Sequence, residues 1–191
     1  AVLFVVCTLI ISFGCANQAG ANFDTSGYDL EPIKGSAVQI ARQYEGSNLI
    51  EEGLIKNGRK EGTWIQYHPK RKGHIDLIQN YSEGKLNGAM LTFDAKGSLL
   101  KMVQYIDGSE HGQSIQYNFG KVTDISPYKY GLLDGTFESF YGDEKIQQQI
   151  EYQKGKKEGA LRYFDEAGNI TVEYRYQNDE KIDGGMVNPE Q

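Results

Sequence analysis

The chain has 191 residues and a formal charge of −6, from 20 basic and 26 acidic residues. That is the length of one ordinary domain, and the acidic balance argues against a mainly electrostatic grip on nucleic acid. Hydrophobic residues are 39% of the chain, with 23 glycines, 4 prolines, 13 tyrosines and 8 phenylalanines, a composition that suits strands joined by tight turns and packed through aromatic rings.

Residues 1–14, AVLFVVCTLIISFG, form an apolar run of signal-peptide length, too short for a comfortable membrane span. The run lacks an initiating Met and a basic n-region, so the expectation is a signal peptide clipped at its start. Gly14 and Cys15 follow the apolar core, and then the small polar stretch ANQAGANFDTSG. The arrangement resembles a bacterial lipoprotein signal, in which cleavage precedes a cysteine that carries the lipid. Ser12 stands where that family usually has Leu, and such loosened boxes resemble those of Bacteroidota-type bacteria. The resemblance implies lipidation at Cys15 and a cell-envelope location, with the outer membrane favoured because Ala16 is not an acidic retention residue. A plain secretory signal and a buried hydrophobic strand are the alternatives. Cys7 falls in the discarded part, so a mature chain would carry one lipid-modified cysteine, leaving neither a disulfide nor a thiolate metal site. Residues 15–35, small and aperiodic, read as the lipidated cysteine and a flexible tether.

From Ser36 the pattern changes, and residues 36–185 read as one repeat domain, with 186–191 as a tail. One phrase recurs five times: NGRKEGTWIQY, EGKLNGAMLTF, DGSEHGQSIQY, YGLLDGTFESF and KGKKEGALRYF. First glycines are Gly58, Gly84, Gly108, Gly131 and Gly155; second glycines are Gly62, Gly88, Gly112, Gly135 and Gly159. The period is 23 to 26 residues, which marks a repeat architecture. An aromatic follows each second glycine at Tyr67, Phe93, Tyr117, Phe140 and Phe164. A second series, Tyr81, Tyr105, Tyr128, Tyr152 and Tyr176, sits three residues before the next first glycine, or before Asp179 in the last copy.

The expected unit is a β-hairpin. Its first strand follows the second glycine, and its second runs through Ile75–Tyr81, Leu99–Tyr105, Val122–Tyr128, Ile146–Tyr152 and Ile170–Tyr176. The Gly-x-x-x-Gly loop then returns the chain, its glycines free to take positive φ. Period-two alternation places Ile146, Gln148, Ile150 and Tyr152 on one face, with Ile170, Val172, Tyr174 and Tyr176, and Leu99, Lys101, Val103 and Tyr105, as equivalent sets. The opposite face is more apolar in early copies (Leu100, Met102, Ile106) and more polar later (Gln147, Gln149, Glu151). The fold class is therefore all-β, an elongated antiparallel meander of stacked hairpins with one half-buried face. Residues 38–58 read as a degenerate opening unit, and the chain beyond Asp183–Gly184 as a stop without a new strand.

The phrase Tyr-x-x-Gly-x-x-x-Gly-x-x-x-x-aromatic resembles the MORN repeat in its bacterial variant, and is similar to the long-period form found in antitoxins of the YwqK type. The resemblance covers about residues 44–184. It implies an elongated sheet of stacked hairpins that serves as a protein-binding scaffold, sometimes at membranes. The matching glycines and aromatics are structural, and no antitoxin motif can be placed on the chain. Ile55, where a Tyr is expected, and Asp179, where a Gly is expected, depart from the pattern at the two ends of the array.

No constellation points to catalysis, a metal or a cofactor. His68 and His74 belong to a basic loop, HPKRKGH, and His111 occupies a turn position equivalent to Glu61, Asn87, Asp134 and Glu158. The serines lack a nucleophile elbow, and Gly-x-x-x-Gly never precedes Lys-Ser/Thr. Lys70, Arg71 and Lys72, with Arg59 and Lys60, make the densest basic patch, a solvated edge or a contact for anionic headgroups. If a ligand face exists, Trp64, Met90, Phe137 and Leu161, each two residues after a second glycine, line it; the competing reading has neighbouring hairpins or the N-terminal segment covering that stripe. The functional expectation is a non-catalytic envelope lipoprotein that binds an unidentified protein partner and meets the membrane through its lipid. The alternatives are a self-associating structural protein and an antitoxin-like inhibitor.

Overall fold

The Gly-x-x-x-Gly phrase builds two backbone features, not one loop. The first glycine and the residue before it both take positive φ, as at Glu83 (50°) and Gly84 (81°), while their flanking residues Ser82 and Lys85 pair across the turn. This is a two-residue turn of type I′, whose twist matches that of the strands it joins. Asn57, Asp107, Tyr130, Lys154 and Asn178 take the same left-handed position in the other copies. The second glycine falls at a break in register: Tyr105 pairs with Glu110 and Val103 with Ser114, which leaves Gly112 in a bulge. The residues between the two glycines are therefore already strand, apart from Asn87 and Asp134.

The computed structural model describes residues 22–142 and 144–187. Cys15, the apolar run 1–14 and the last four residues of the tail lie outside the described residues. Sixteen strands run as β1 (Asp29–Pro32), β2 (Val38–Glu45), β3 (Asn48–Lys56), β4 (Arg59–Tyr67), β5 (Ile75–Ser82), β6 (Lys85–Leu86), β7 (Gly88–Phe93) and β8 (Leu99–Ile106), then β9 (Ser109–Asn118), β10 (Lys121–Lys129), β11 (Leu132–Leu133), β12 (Gly135–Phe140), β13 (Ile146–Gln153), β14 (Lys156–Phe164), β15 (Ile170–Gln177) and β16 (Glu180–Met186). All belong to one antiparallel sheet in chain order, with β6 paired to β5 and β11 to β10 as side pieces. The fold is the all-β meander of stacked hairpins that the repeat spacing implies.

Three sequence expectations are corrected at the level of strands. Residues 29–32, inside the segment read as tether, form β1 and pair with Gln39–Arg42 of β2. Residues 180–186 form a further strand, β16, paired to β15, where the sequence suggested a stop. The third correction concerns faces. A bulge opens each second strand, so that Phe93 pairs with Leu99, Phe140 with Ile146 and Phe164 with Ile170. The extra residue turns Leu99, Ile146 and Ile170 to the side of the aromatics, away from Val103, Ile150 and Tyr174.

Neighbouring copies are bonded turn to turn as well as strand to strand. The first-glycine N–H donates to the carbonyl two residues past the preceding first glycine: Gly84 to Lys60, Gly108 to Leu86, Gly131 to Glu110, Gly155 to Leu133, and Asp179 to Lys157. Carboxylates just before the second glycine add a second tie. Glu61 accepts from the N–H of Glu83, Asp134 from Lys154 and Glu158 from Asn178. The acidic residues at this position thus cap the following turn, not their own. Each copy is held to its neighbour by backbone geometry, as a one-dimensional array requires.

Few side chains are fully enclosed. The buried hydrophobics among the described residues are Ala41, Ile55, Trp64, Val103, Ile150, Ala160 and Leu161. Among the described residues the main strand-to-strand contacts run between sheet neighbours, so no second sheet packs over either face there.

Candidate functional site

Register pairs share a face, and following them across the sheet defines two surfaces. The tyrosine face carries the repeat tyrosines, each paired with the second glycine of its own hairpin: Gly62 with Tyr81, Gly88 with Tyr105, Gly112 with Tyr128, Gly135 with Tyr152, and Gly159 with Tyr176. A glycine gives no side-chain cover to its strand, and an aromatic across from it supplies that cover. Burial raises the tyrosine pKa at Tyr81, Tyr105, Tyr128 and Tyr152, with nearby carboxylates adding to the effect.

The proposed ligand stripe lies on this face, and the structure divides it. Trp64 is 1% exposed and Leu161 4%, whereas Met90 and Phe137 are half-buried. Gln79, Val103, Ser114 and Ile150 stand in the same cross-strand row, and its polar members break the apolar line. The N-terminal segment covers the Trp64 end. Phe23 and Tyr28 meet the indole edge-on, with centroids 5.1 Å and 6.1 Å away, and the Phe23 N–H donates to Gly58 C=O. Below the indole lies Gly53, and the Trp64 Nε1–H donates to Leu54 C=O at 3.0 Å.

Lys60 closes this cap. Its Nζ lies 3.9 Å from the Trp64 ring centroid and 4.7 Å from that of Phe23, and it pairs with Glu51 at 3.0 Å. Glu51 is buried and also accepts hydrogen bonds from Tyr28 Oη–H and Gln66 Nε2–H. Desolvation raises the Glu51 pKa, but its bonds to Tyr28, Gln66 and Lys60 outweigh that and leave it lowered. Tyr28 is pushed up by burial and by Glu51. Tyr28, Gln66 and Lys60 all converge on Glu51, so the cluster acts as a cap on the array.

The other surface is the aliphatic face. Its central row pairs Ile65 with Ile78, Ile78 with Leu91, Leu91 with Met102, Met102 with Ile115 and Ile115 with Ile125. Six half-buried apolar side chains thus stand in an unbroken line across six strands. The row continues as Glu138, Gln149, Arg162 and Glu173, where Arg162 bonds Glu173 at 2.8 Å. Beside it runs a second apolar row made by the other repeat aromatics and their partners: Tyr67 with Ile75, Phe93 with Leu99, Tyr117 with Val122, Phe140 with Ile146, and Phe164 with Ile170. The Tyr67 hydroxyl donates to Glu52 at 2.7 Å, and burial with that carboxylate raises its pKa to about 12. The central row corresponds to the third residue after a second glycine and the third before a repeat tyrosine. The shift from apolar early copies to polar late ones is visible in the sequence at Met102 against Gln149. The line itself becomes visible only once the register is known.

The remaining candidates separate. His68 and His74 are joined through their backbones across the basic loop, His68 N–H donating to His74 C=O. His74 and Lys72 border an open cleft of about 350 Å³ with Ile75 and Phe93. His111 packs edge-on to Tyr130 at 4.8 Å, and its buried Nδ1 has no hydrogen-bond partner among the described residues. Lys60 and Arg59, grouped by sequence with Lys70, Arg71 and Lys72, are separated from them; Lys60 is committed to the aromatic cap. No group of three or more His, Cys, Asp or Glu among the described residues could hold a metal.

No protein-family model matches the chain, and no curated protein does. Among solved structures, an S. aureus TarM mutant in complex with Fondaparinux, alpha-GlcNAc-glycerol and UDP is similar at 14% identity and a TM-score of 0.38, over 57% of this chain and 21% of that one. A second TarM crystal structure gives 16% identity with the same score and coverage. The chain spans about a fifth of the length of these structures, and at that score the likeness bears on neither fold nor activity.

Proposed function

We propose that the chain is a non-catalytic protein-binding scaffold of the MORN-like type, held at the cell envelope by lipid on Cys15, with the aliphatic face as its docking surface. The observation that supports this reading is the unbroken row Ile65, Ile78, Leu91, Met102, Ile115 and Ile125. Large contiguous apolar patches on a protein surface mark interaction sites, and a flat sheet offers such a patch to a partner with a complementary apolar strip. The adjoining row from Tyr67 to Ile170 widens the patch with aromatic groups of the kind that dominate interface energetics. The charged end at Glu138, Arg162 and Glu173 would fix the register of the partner.

The test is a crosslinking pull-down from whole cells with three forms of the chain. Leu91→Glu places a carboxylate on the row between Ile78 and Met102, which, unlike Gln149 beside Glu138, offer it no donor. The expected outcome is loss of a discrete partner from this variant, with the thermal midpoint lowered but the chain still folded at the temperature of the assay. Cys15→Ala should leave the membrane fraction. A partner retained by Leu91→Glu would overturn the docking face, and unchanged fractionation of Cys15→Ala would overturn the anchor.

A further inference from the structure

The loop between β4 and β5 is longer than its counterparts in the later hairpins. It spans residues 68–74, against 94–98, 119–120, 141–145 and 165–169. Its sequence, HPKRKGH, holds Lys70, Arg71 and Lys72 and no acid, in a chain of net charge −6. Hydrogen bonds hold it as an arch. His68 N–H donates to His74 C=O and closes the base, and Arg71 N–H donates to His68 C=O. The Arg71 guanidinium donates to Ala95 C=O in the next hairpin loop. A carbonyl carries no net charge, so this bond positions Arg71 without cancelling its charge.

Two clefts of similar size border the arch, and their linings differ in charge. One, about 370 Å³, is lined by Glu45, Glu51 and Asp76 together with Tyr67 and Pro69. The other, about 350 Å³, is lined by Lys72, Gly73, His74, Ile75, Phe93 and Gly97. No carboxylate borders this second cleft. Asp94 of the neighbouring loop serves its own turn, accepting from the N–H groups of Lys96 and Ser98. Lys72 and His74 are exposed. Among the described residues the Lys72 ammonium and the His74 ring have no partner, and the N–H groups of Lys72 and Gly73 have no acceptor. Successive free N–H groups at a left-handed glycine, here Gly73 at φ 77°, form an anion-binding concavity.

The floor of the same cleft is apolar. Ile75 and Phe93 are half-buried members of the aromatic row. A Cβ on Gly73 or Gly97 would meet nothing within 4 Å, so the walls there are backbone beside open space. Cationic and N–H donors on one side and two apolar side chains on the other make a concave surface of ligand-site size.

We infer that this cleft binds a small amphiphilic anion. A phosphate or carboxylate head sits under the arch, on Lys72, His74 and the N–H groups of Lys72 and Gly73. An alkyl body lies on Ile75 and Phe93. The head sets the orientation, and burial of the body supplies the larger part of the affinity. The site lies outside the aliphatic row and is independent of what docks there.

The test is isothermal titration calorimetry of the purified full chain with octyl phosphate below its micellar concentration. One site per chain is expected. Octyl phosphate should bind at least roughly tenfold more tightly than butyl phosphate, because the longer chain covers more of the apolar floor. Inorganic phosphate, and octyl glucoside with its uncharged head, should each bind at least roughly tenfold more weakly than octyl phosphate. Lys72→Glu reverses the charge of an exposed loop side chain. It should weaken octyl phosphate at least roughly tenfold with the thermal midpoint unchanged. Ile115→Gln, on the aliphatic row outside the cleft, should leave that binding intact. Vesicles of phosphatidylglycerol separate two sources of the head. Co-sedimentation that Lys72→Glu abolishes assigns it to a membrane lipid, and octyl phosphate binding without co-sedimentation assigns it to a free amphiphile. Absence of saturable binding, equal binding of octyl glucoside, or binding unchanged by Lys72→Glu would overturn the inference. Binding lost in Ile115→Gln would also overturn it, by placing the amphiphile on the open row.

Discussion

Gly53 and Trp64 offer the sharpest test of the capped end. Gly53 lies in β3 outside the left-handed region, so an alanine there meets no left-handed strain, but its Cβ would stand 2.2 Å from Trp64 Cδ2 and 2.4 Å from Cε2. Two responses compete. Ejecting the indole would expose a side chain now 1% exposed; at 150–250 Å² and about 25 cal/mol per Å² this costs about 4–6 kcal/mol. It would also give up the bond to Leu54 C=O and the edge-on contacts of Phe23 and Tyr28. Shifting β3 against β4 to fit one methyl costs roughly 1–3 kcal/mol, the usual penalty of overpacking. The smaller cost wins, so Gly53→Ala should destabilise by about 1–3 kcal/mol, or roughly 2–4 °C in thermal midpoint per kcal/mol. Trp64 is the chain's single tryptophan, so its fluorescence reports the cap directly. Its emission should stay near that of a buried indole, with a lower midpoint, and the double variant Gly53→Ala/Trp64→Leu should show a coupling that recovers most of the loss due to the methyl. A Gly53→Ala chain within 0.5 kcal/mol of wild type, with no coupling to Trp64, would refute this packing.

Other outcomes follow from the same geometry. His111→Glu supplies the carboxylate that Glu61, Asp134 and Glu158 use to cap the next turn, and removes a buried nitrogen without a partner; it should stabilise by about 0.5–1.5 kcal/mol, measured by denaturant titration. The lowered Glu51 pKa means that its contribution is present above its unfolded value and lost as pH falls through the folded one. Trp64 fluorescence should therefore report loosening of the cap in acid, and Glu51→Gln should flatten that profile. The raised pKa of Tyr67, about 12, works in the other direction: its contribution is present below the unfolded value near 10 and lost as pH rises through 12. Tyr67→Phe should reduce the alkaline loss of stability. Gly135→Ala must hold an alanine at φ 121° with its Cβ 3.1 Å from Pro127 Cγ, and should lower stability by about 1–3 kcal/mol in a thermal melt.

The sheet was readable in the sequence because its signals are local. A glycine at a fixed offset from an aromatic records a turn and a bulge, and five repetitions make the period plain. What stayed hidden depends on register. The bulge opening each second strand turns Leu99, Ile146 and Ile170 to the other face, and period-two counting does not include an extra residue. Cover of the stripe by the N-terminal segment was one of the two readings the sequence offered, but Phe23 and Tyr28 sit in an aperiodic stretch, and only a fold that brings them back over Trp64 identifies them as the packing residues. The last strand, β16, looked like a stop because no aromatic follows Asp183–Gly184 at the repeat spacing. Trp64, Met90, Phe137 and Leu161 stand on one face of the sheet. The residues between them, Gln79 and Ser114, come from strand pairing that spacing alone does not specify. The aliphatic row drew on two offsets from two different landmarks, so no single repeat position announced it.

The most direct measurement of the docking face is site-specific photo-crosslinking in cells at two adjacent residues of β8. Met102 pairs with Leu91 and Ile115 in the aliphatic row, and Lys101 pairs with Thr92 and Gln116 on the opposite surface. A photoreactive side chain at Met102 should yield a discrete protein adduct, and the same group at Lys101 should not. An adduct from Lys101 alone, or from neither position, would contradict the account.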